Sequence, residues 1–273
     1  MIQTGQNRID QLFADRSRKR FIPFITVGDP SLEVSFEIVK ALVEAGSDLL
    51  ELGVAYSDPL ADGPTIQRAS QRALANGVTI ADVLAFVAKL RDAGINTPLV
   101  LFTYVNPVMQ YGVERFFADL AKHGADGAVI PDLPAEENAE ATAAAKKYGL
   151  HLISLVAPTS ESRIKLIGEQ ASGFIYCVSS LGVTGARSQL RSDLAEFVQK
   201  VKASSGLPAA VGFGISTPEQ VREVAAFSDG VIVGSAIVQQ IERNLSLLAQ
   251  PETKAEGMQH IKNFVQQLAS GLQ

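Results

Sequence analysis

Apolar residues follow two rhythms along this chain of 273 residues. Short unbroken apolar runs alternate with longer stretches in which apolar side chains recur every three or four positions. The short runs cover 21–27, 49–52, 99–104, 127–130, 152–156, 174–178, 209–213 and 231–233. Unbroken runs are what parallel strands covered on both faces require. The longer stretches carry helix start and stop signals. Ser31 can cap a helix that puts Val34, Ile38 and Leu42 on one face, with Gly46 beyond its end. Thr79-Ile80-Ala81-Asp82 opens a second, with Val83, Phe86, Val87 and Leu90 inward and Gly94 after it. Thr217-Pro218-Glu219 gives a cap, a proline at the first helical position and an acid at the positive end of a third.

Four segments, EAGSDLLELG, KHGADGAVIPD, EQASGFIYCVS and AAFSDGVIVGS, share one logic: helix end, small-residue turn, apolar strand, polar or glycine-bearing loop. Eight strand–helix units without a break in composition predict an α/β chain folded as a single (β/α)8 TIM-barrel domain over 1–273. A doubly wound open sheet is the alternative. Extra helices are expected around Ile9, Leu12 and Phe13, where one can cover the lower mouth, and over 65–75.

Composition narrows the function. At 47% apolar the chain can bury a large core, yet no window has the roughly 18 unbroken apolar residues of a membrane span. The start, MIQTGQNRID, lacks the apolar stretch of a secretory signal. The single cysteine, Cys177, excludes an internal disulfide and fits a cytoplasmic protein. A net charge of −5 without a basic cluster argues against nucleic acid and anionic membrane as partners. The three histidines, His123, His151 and His260, stand near no GxSxG elbow and in no metal-ligand spacing, so neither a serine triad nor a metal site is expected.

In such barrels the chemistry belongs to strand C-terminal ends and the loops after them. The stretch ELGVAYSDPLADGP puts Glu51 at the end of the second strand and Asp62 eleven residues on. Two carboxylates there can serve as acid and base, or as catalyst and binder. Burial in an apolar mouth would raise a carboxyl pKa and let it hold and return a proton near neutrality. The plainer alternatives are that Glu51 pairs with a lysine or arginine and that Asp62 caps the helix opening at Pro64-Thr65. VGFGIST (211–217) and IVGSAIV (232–238) follow the seventh and eighth strands and open helices. Glycine loops at those two strand ends can aim backbone N–H groups at a phosphate. SSLGVTGARSQLRSD (179–193) is long, polar and carries two glycines; it reads as a lid or as a flexible connector. On the sixth strand Cys177 reads as a core thiol and Tyr176 as pointing to the mouth. The alanine-rich run PAEENAEATAAAKKYG is a solvated helix of good propensity.

Together, FIPFITVGDP, ELGVAYSDPLADGPTIQ, YVNPVMQYG, VIPDLP, SSLGVTGAR, GFGIS and VGSAIV resemble the tryptophan synthase alpha subunit family over almost the whole chain. SDPLADGP and GVTG are specific to it; other phosphate-binding barrels share only the glycine loops. The resemblance implies retro-aldol cleavage of indole-3-glycerol phosphate to indole and glyceraldehyde 3-phosphate, with no cofactor or metal on this chain. By resemblance Glu51 is the catalytic glutamate that shuttles protons, and Asp62 the aspartate that binds the indole N–H. Tyr176 matches an active-site tyrosine, Phe24, Phe213 and Ile232 the apolar contacts around indole, and Thr184 a lid residue. Gly185, Gly214, Gly234 and Ser235 match backbone donors to the phosphate. The resemblance further implies an α₂β₂ complex whose beta subunit carries pyridoxal phosphate and receives the indole. The implied partner-facing surface includes the 55–60 loop with Ala55 and Asp58, and the segments around Asn106 and Pro134. Many members have proline where this chain has Ala55, and alanine leaves the loop freer. Other readings are a binding and activating subunit with little chemistry, a stand-alone lyase, and a phosphosugar isomerase or epimerase. The last usually needs a different set of strand-end acids, lysines or histidines, and no lysine stands at a strand end here.

Overall fold

The computed structural model describes residues 6–179, 193–212 and 214–272. Eight parallel strands close into a barrel in chain order: β1 (Arg20–Thr26), β2 (Leu50–Gly53), β3 (Leu99–Phe102), β4 (Gly127–Val129), β5 (His151–Val156), β6 (Ile175–Val178), β7 (Ala209–Gly212) and β8 (Gly230–Val233). β8 pairs with β1, Ile22 lying opposite Ile232, which rules out an open sheet. The 99–104 run stops being strand at Phe102, because Tyr104 is already the N-cap of the helix Val105–Tyr111.

The unbroken apolar runs hide a strict alternation. Ile22, Phe24, Val100, Phe102, Val129, Ile153, Tyr176, Ala210 and Ile232 pack together inside the barrel. Their neighbours Phe21, Ile25, Leu50, Leu52, Leu101, Ile175, Val211, Val231 and Val233 pack outward in the core shared with the helices. Both strand faces are dry, so both must be apolar.

The helix signals are used as read. Ser31 Oγ accepts from Val34 N (3.2 Å), Thr79 and Asp82 form a reciprocal capping box, and Thr217 Oγ1 accepts from Gln220 N (3.3 Å). The N-terminal helix Arg8–Leu12 buries Ile9, and Phe13 beyond it sets its ring 5.5 Å from that of Phe174, closing the lower mouth.

The four-fold repeat has a physical meaning. Asp48, Asp126 and Asp229 precede β2, β4 and β8. Each carboxylate accepts the N–H at the start of the adjacent strand, from Phe21, Leu99 and Ala209 respectively (2.8, 2.8 and 2.9 Å). Each backbone N–H returns a bond to the carbonyl of that same residue (2.9, 2.9 and 2.8 Å). A cation completes each clamp: Arg18 on Asp48, Arg8 and Arg91 on Asp126, Lys202 on Asp229. The fourth segment has Gly173 at the equivalent place. There φ is +72°, and a Cβ would stand 3.0 Å from the His151 ring, so an aspartate would be strained.

Asp126 is almost fully buried and its partner Arg91 is largely so. Asp126→Asn leaves that guanidinium short of charge and should cost about 3 kcal/mol of stability in urea unfolding at pH 7. Asp48→Asn, whose partner Arg18 is exposed, should cost distinctly less.

Candidate active site

Strand parity aims Glu51. It lies opposite Phe24 on β1 and Val100 on β3, both interior residues, and shares its parity with the interior Leu49. The side chain therefore enters the upper end of the barrel, where it is 1% exposed. Its Oε1 has no hydrogen-bond partner among the described residues. Among the described residues no cation offsets the loss of water, and burial pushes the carboxyl up to about 8. Among the described residues, then, Glu51 forms no ion pair with lysine or arginine.

Asp62 reaches the same cavity from the loop after β2. It is not the helix cap: Gly63 holds that position for Pro64–Ala75, and no side chain caps it. Asp62 is 5% exposed. Burial raises its carboxyl to about 6, against a downward pull from its hydrogen bond with the Tyr104 hydroxyl. The same hydroxyl accepts from Ala61 N at 3.2 Å and so fixes the loop as well as the carboxylate. Tyr104 is a site residue that sequence reasoning missed. Its signal was parity, since 100, 102 and 104 alternate toward the interior.

One cavity brings together Phe24, Glu51, Asp62, Tyr176, Gly214, Ile232, Gly234 and Ser235, and adds Ile66 and Phe102, which were not anticipated. Glu51 and Asp62 both push the buried Tyr176 phenol upward in pKa, as desolvation does more strongly. On the β8 side of the cavity Gly234 precedes the helix Ser235–Arg243, whose first N–H groups have no side-chain cap. An uncapped helix start beside Gly214, at φ +86°, suits an anion. Gly212, part of the VGFGIST glycine signal, has a steric cause instead. A Cβ there would lie 2.5 Å from the Tyr176 hydroxyl. Gly53 likewise makes room for the Phe24 ring, 2.5 Å from where its Cβ would be.

Thr184, Gly185 and Phe213, and the 180–192 part of the expected lid, lie outside the described residues. Of the expected partner-facing residues, Asp58, Asn106 and Pro134 are exposed, whereas Ala55 is buried in the outer core. Among the described residues no group of three or more histidines, cysteines or acids is placed to hold a metal. His123 Nδ1 lies 2.6 Å from the Asp119 carbonyl, His260 Nδ1 2.9 Å from Asn244 Oδ1, and His151 Nε2 3.0 Å from Asp10 Oδ1. Among the described residues no single helix is long and apolar enough to cross a membrane.

The raised Glu51 carboxyl carries a stability signature. Between the ordinary carboxyl pKa and about 8 the folded chain holds a proton that the unfolded chain has released, so stability falls as pH rises through that window. Glu51→Gln removes this group. The thermal midpoint of the variant relative to wild type should therefore climb steadily from pH 5 to pH 8. A difference that does not change with pH would show that Glu51 titrates normally.

The family model described as tryptophan synthase alpha chain matches residues 11–272. The tryptophan synthase alpha chain of Geobacillus stearothermophilus is 53% identical over 252 residues, 92% of this chain and 94% of that one. That of Bacillus subtilis is 52% identical over 248 residues, 91% and 93% of the two chains. Among solved structures, tryptophan synthase subunit alpha from Legionella pneumophila superposes with a TM-score of 0.88 at 37% identity, covering 98% of this chain and 99% of that one. A chain of Mycobacterium tuberculosis tryptophan synthase gives a TM-score of 0.86 at 38% identity, with 98% and 99% covered. With a closed eight-strand barrel, two buried carboxyls at its mouth and likeness over nearly its full length, the chain belongs to the tryptophan synthase alpha chain family.

Proposed function

We propose that Glu51 and Asp62 carry out the reaction of this family, the cleavage of indole-3-glycerol phosphate to indole and glyceraldehyde 3-phosphate. One observation carries the assignment: two buried carboxyls share one cavity, and burial raises Glu51, which has no hydrogen-bond partner on Oε1 among the described residues, further (to about 8) than Asp62, which keeps the Tyr104 hydroxyl (to about 6). At pH 7 Glu51 is mainly protonated and Asp62 mainly ionised. Glu51 gives its proton to indole C3, a weakly basic carbon. The ring takes up positive charge that spreads to N1, and the Asp62 carboxylate beside N1–H stabilises it where it develops. The C3–C3′ bond then breaks and its electrons return to the ring. The 3′-hydroxyl proton passes to the Glu51 carboxylate as the aldehyde forms, which restores the starting state. Tyr104 keeps Asp62 in place and favours its ionised form. Phe24, Phe102, Tyr176 and Ile232 hold the indole and exclude water. The N–H groups of Gly234 and Ser235 hold the phosphate, with Gly214 beside them, so the remote anion supplies binding energy that orients the reacting bond. Thr184, Gly185 and Phe213 complete the site in this reading, as the resemblance implies.

The same reading makes the chain one domain of a cytoplasmic α₂β₂ enzyme that hands indole to a beta subunit. Pyridoxal phosphate then belongs to that partner, and no cofactor is needed here. Two exposed apolar side chains support a partner on the upper face: Leu60 (77% exposed) in the 55–60 loop and Met109 (59%) in the helix after β3. Asn106 Nδ2 donates to the Tyr56 hydroxyl (3.0 Å), and the Tyr56 ring lies 5.4 Å from that of Tyr104, which bonds Asp62. A partner that grips this face would thus act close to the Asp62 carboxylate. Ala55, beneath the loop, bears on its stiffness from inside the fold.

Indole release from indole-3-glycerol phosphate tests the reading. The rate should follow a bell in pH with limbs near 6 and 8, and an added beta subunit should raise it. Glu51→Gln should lower it at least about 100-fold. Full activity in that variant would remove Glu51 from the chemistry, and no release by wild type with its partner would favour an activating subunit.

A further inference from the structure

The Asp62 side and the Gly234 side of the cavity sit on different elements, and two arginines of one helix, Arg68 and Arg72, tie those elements together away from the cavity. Asp62 lies just before the helix Pro64–Ala75, and Gly234 just before the helix Ser235–Arg243. Arg72 lies eight residues into the first helix, roughly 12 Å behind its start. It donates from Nε and Nη2 to the two oxygens of Asp29 (2.7 and 2.9 Å), and from Nη1 to Glu242 Oε1 (2.9 Å). Asp29 belongs to the loop after β1 and is 2% exposed. Glu242 belongs to the helix Ser235–Arg243 and takes a second, two-pronged bond from Arg68 (2.8 and 2.7 Å). One planar guanidinium thus spans three elements, each of which contributes to the cavity: β1 with Phe24, the helix behind Asp62 with Ile66, and the helix start at Gly234 and Ser235.

The rest of the network stiffens this junction. Asn76 Nδ2 donates to the carbonyls of Gly28 and Pro30 (3.3 and 2.5 Å), so the far end of the same helix also holds the β1 loop. Gly28 stands at φ +91° with Val78 where its Cβ would be, and its N–H donates to Ser35 Oγ (3.0 Å). Phe24 packs close to both Gly53 and Gly234, so the ring bridges the two ends inside as Arg72 does outside. A junction of this kind is more than a surface ion pair. The fork of Arg72 is filled on both edges, and Asp29 has no water to fall back on.

We propose that Arg72, clamped between Asp29 and Glu242, is a positioning residue that couples the phosphate end of the cavity to the Asp62 end. An anion on the N–H groups of Gly234 and Ser235 orders the helix that carries Glu242. Through Arg72 that order passes to the helix behind Asp62, so an indole arriving there has less ordering left to do. The proposal rests on the substrate assignment above, in which the two ends take phosphate and indole.

The experiment measures binding, not turnover. Glycerol 3-phosphate and indole serve as separate probes of the two ends, and the Kd of indole is measured with and without saturating glycerol 3-phosphate. In wild type the anion should tighten indole about 5-fold or more. In Arg72→Lys, which cannot fork, and in Glu242→Gln, the factor should fall below about 2-fold while each probe alone binds within about 2-fold of wild type. Merely weakened folding would shift both single affinities and leave their ratio alone. Should Arg72→Lys fail to fold, Glu242→Gln decides when read beside Arg68→Gln: both lose the Arg68–Glu242 pair, only Glu242→Gln also loosens Arg72, and coupling should survive in Arg68→Gln. Absence of coupling in wild type, or coupling that survives in Glu242→Gln, overturns the proposal. Failure of the substrate assignment would appear separately, as no indole release from indole-3-glycerol phosphate by wild type.

Discussion

A carboxylic acid buried in the upper end of a closed barrel, with no counter-charge among the described residues, sets the demands on the surrounding structure. Water would stabilise the Glu51 carboxylate and return its pKa to the ordinary range. The barrel keeps water out by surrounding the acid with large apolar side chains, Phe24, Phe102, Tyr176 and Ile232 among them. Those rings fit because Gly53 and Gly212 leave space for them. Two glycines whose absence of a side chain could pass for loop chemistry are therefore part of how the acid stays protonated.

Asp62 shows how a second carboxyl in the same cavity acquires the opposite charge. It too loses water, but it keeps a hydrogen bond from Tyr104 and stands on a loop near the mouth, so its pKa rises less. The contrast needs fixed distances between strands and loops. The aspartate clamps at the lower ends of β2, β4 and β8 hold strand register from below. The Asp29–Arg72–Glu242 junction holds three elements together above. Neither group touches the cavity, and both bear on its geometry.

Much of this was legible in the chain. The eight apolar runs, the caps at Ser31, Thr79 and Thr217, and the helix at the lower mouth all appear where periodicity and cap chemistry put them. Such features are local, set by a few neighbouring residues. Strand direction was harder: with both faces dry, an apolar run does not say which side faces the interior, so the aim of Glu51 depended on register. Tyr104 was missed because it sits past the end of the hydrogen-bonded strand and opens a helix most of whose other residues are exposed or half-buried. The repeated aspartates were visible as a pattern, but the strand N–H groups they bind lie 20 to 27 residues away on neighbouring strands. The grouping of Phe24, Tyr176, Gly214, Ile232, Gly234 and Ser235 around the two carboxyls required barrel closure, which joins β8 to β1 across most of the chain.

Glu51 is a neutral acid at neutral pH because it is dry. Its titration can be followed directly by NMR of chain labelled with carbon-13 at the glutamate side-chain carboxyl, with the Glu51 signal identified by its loss in Glu51→Gln. A midpoint near 8 in the free chain is the predicted result. A midpoint near 4.5, the ordinary value for glutamate, would mean that the carboxylate finds water or a cation in solution, and the proton-donor role would fall with it.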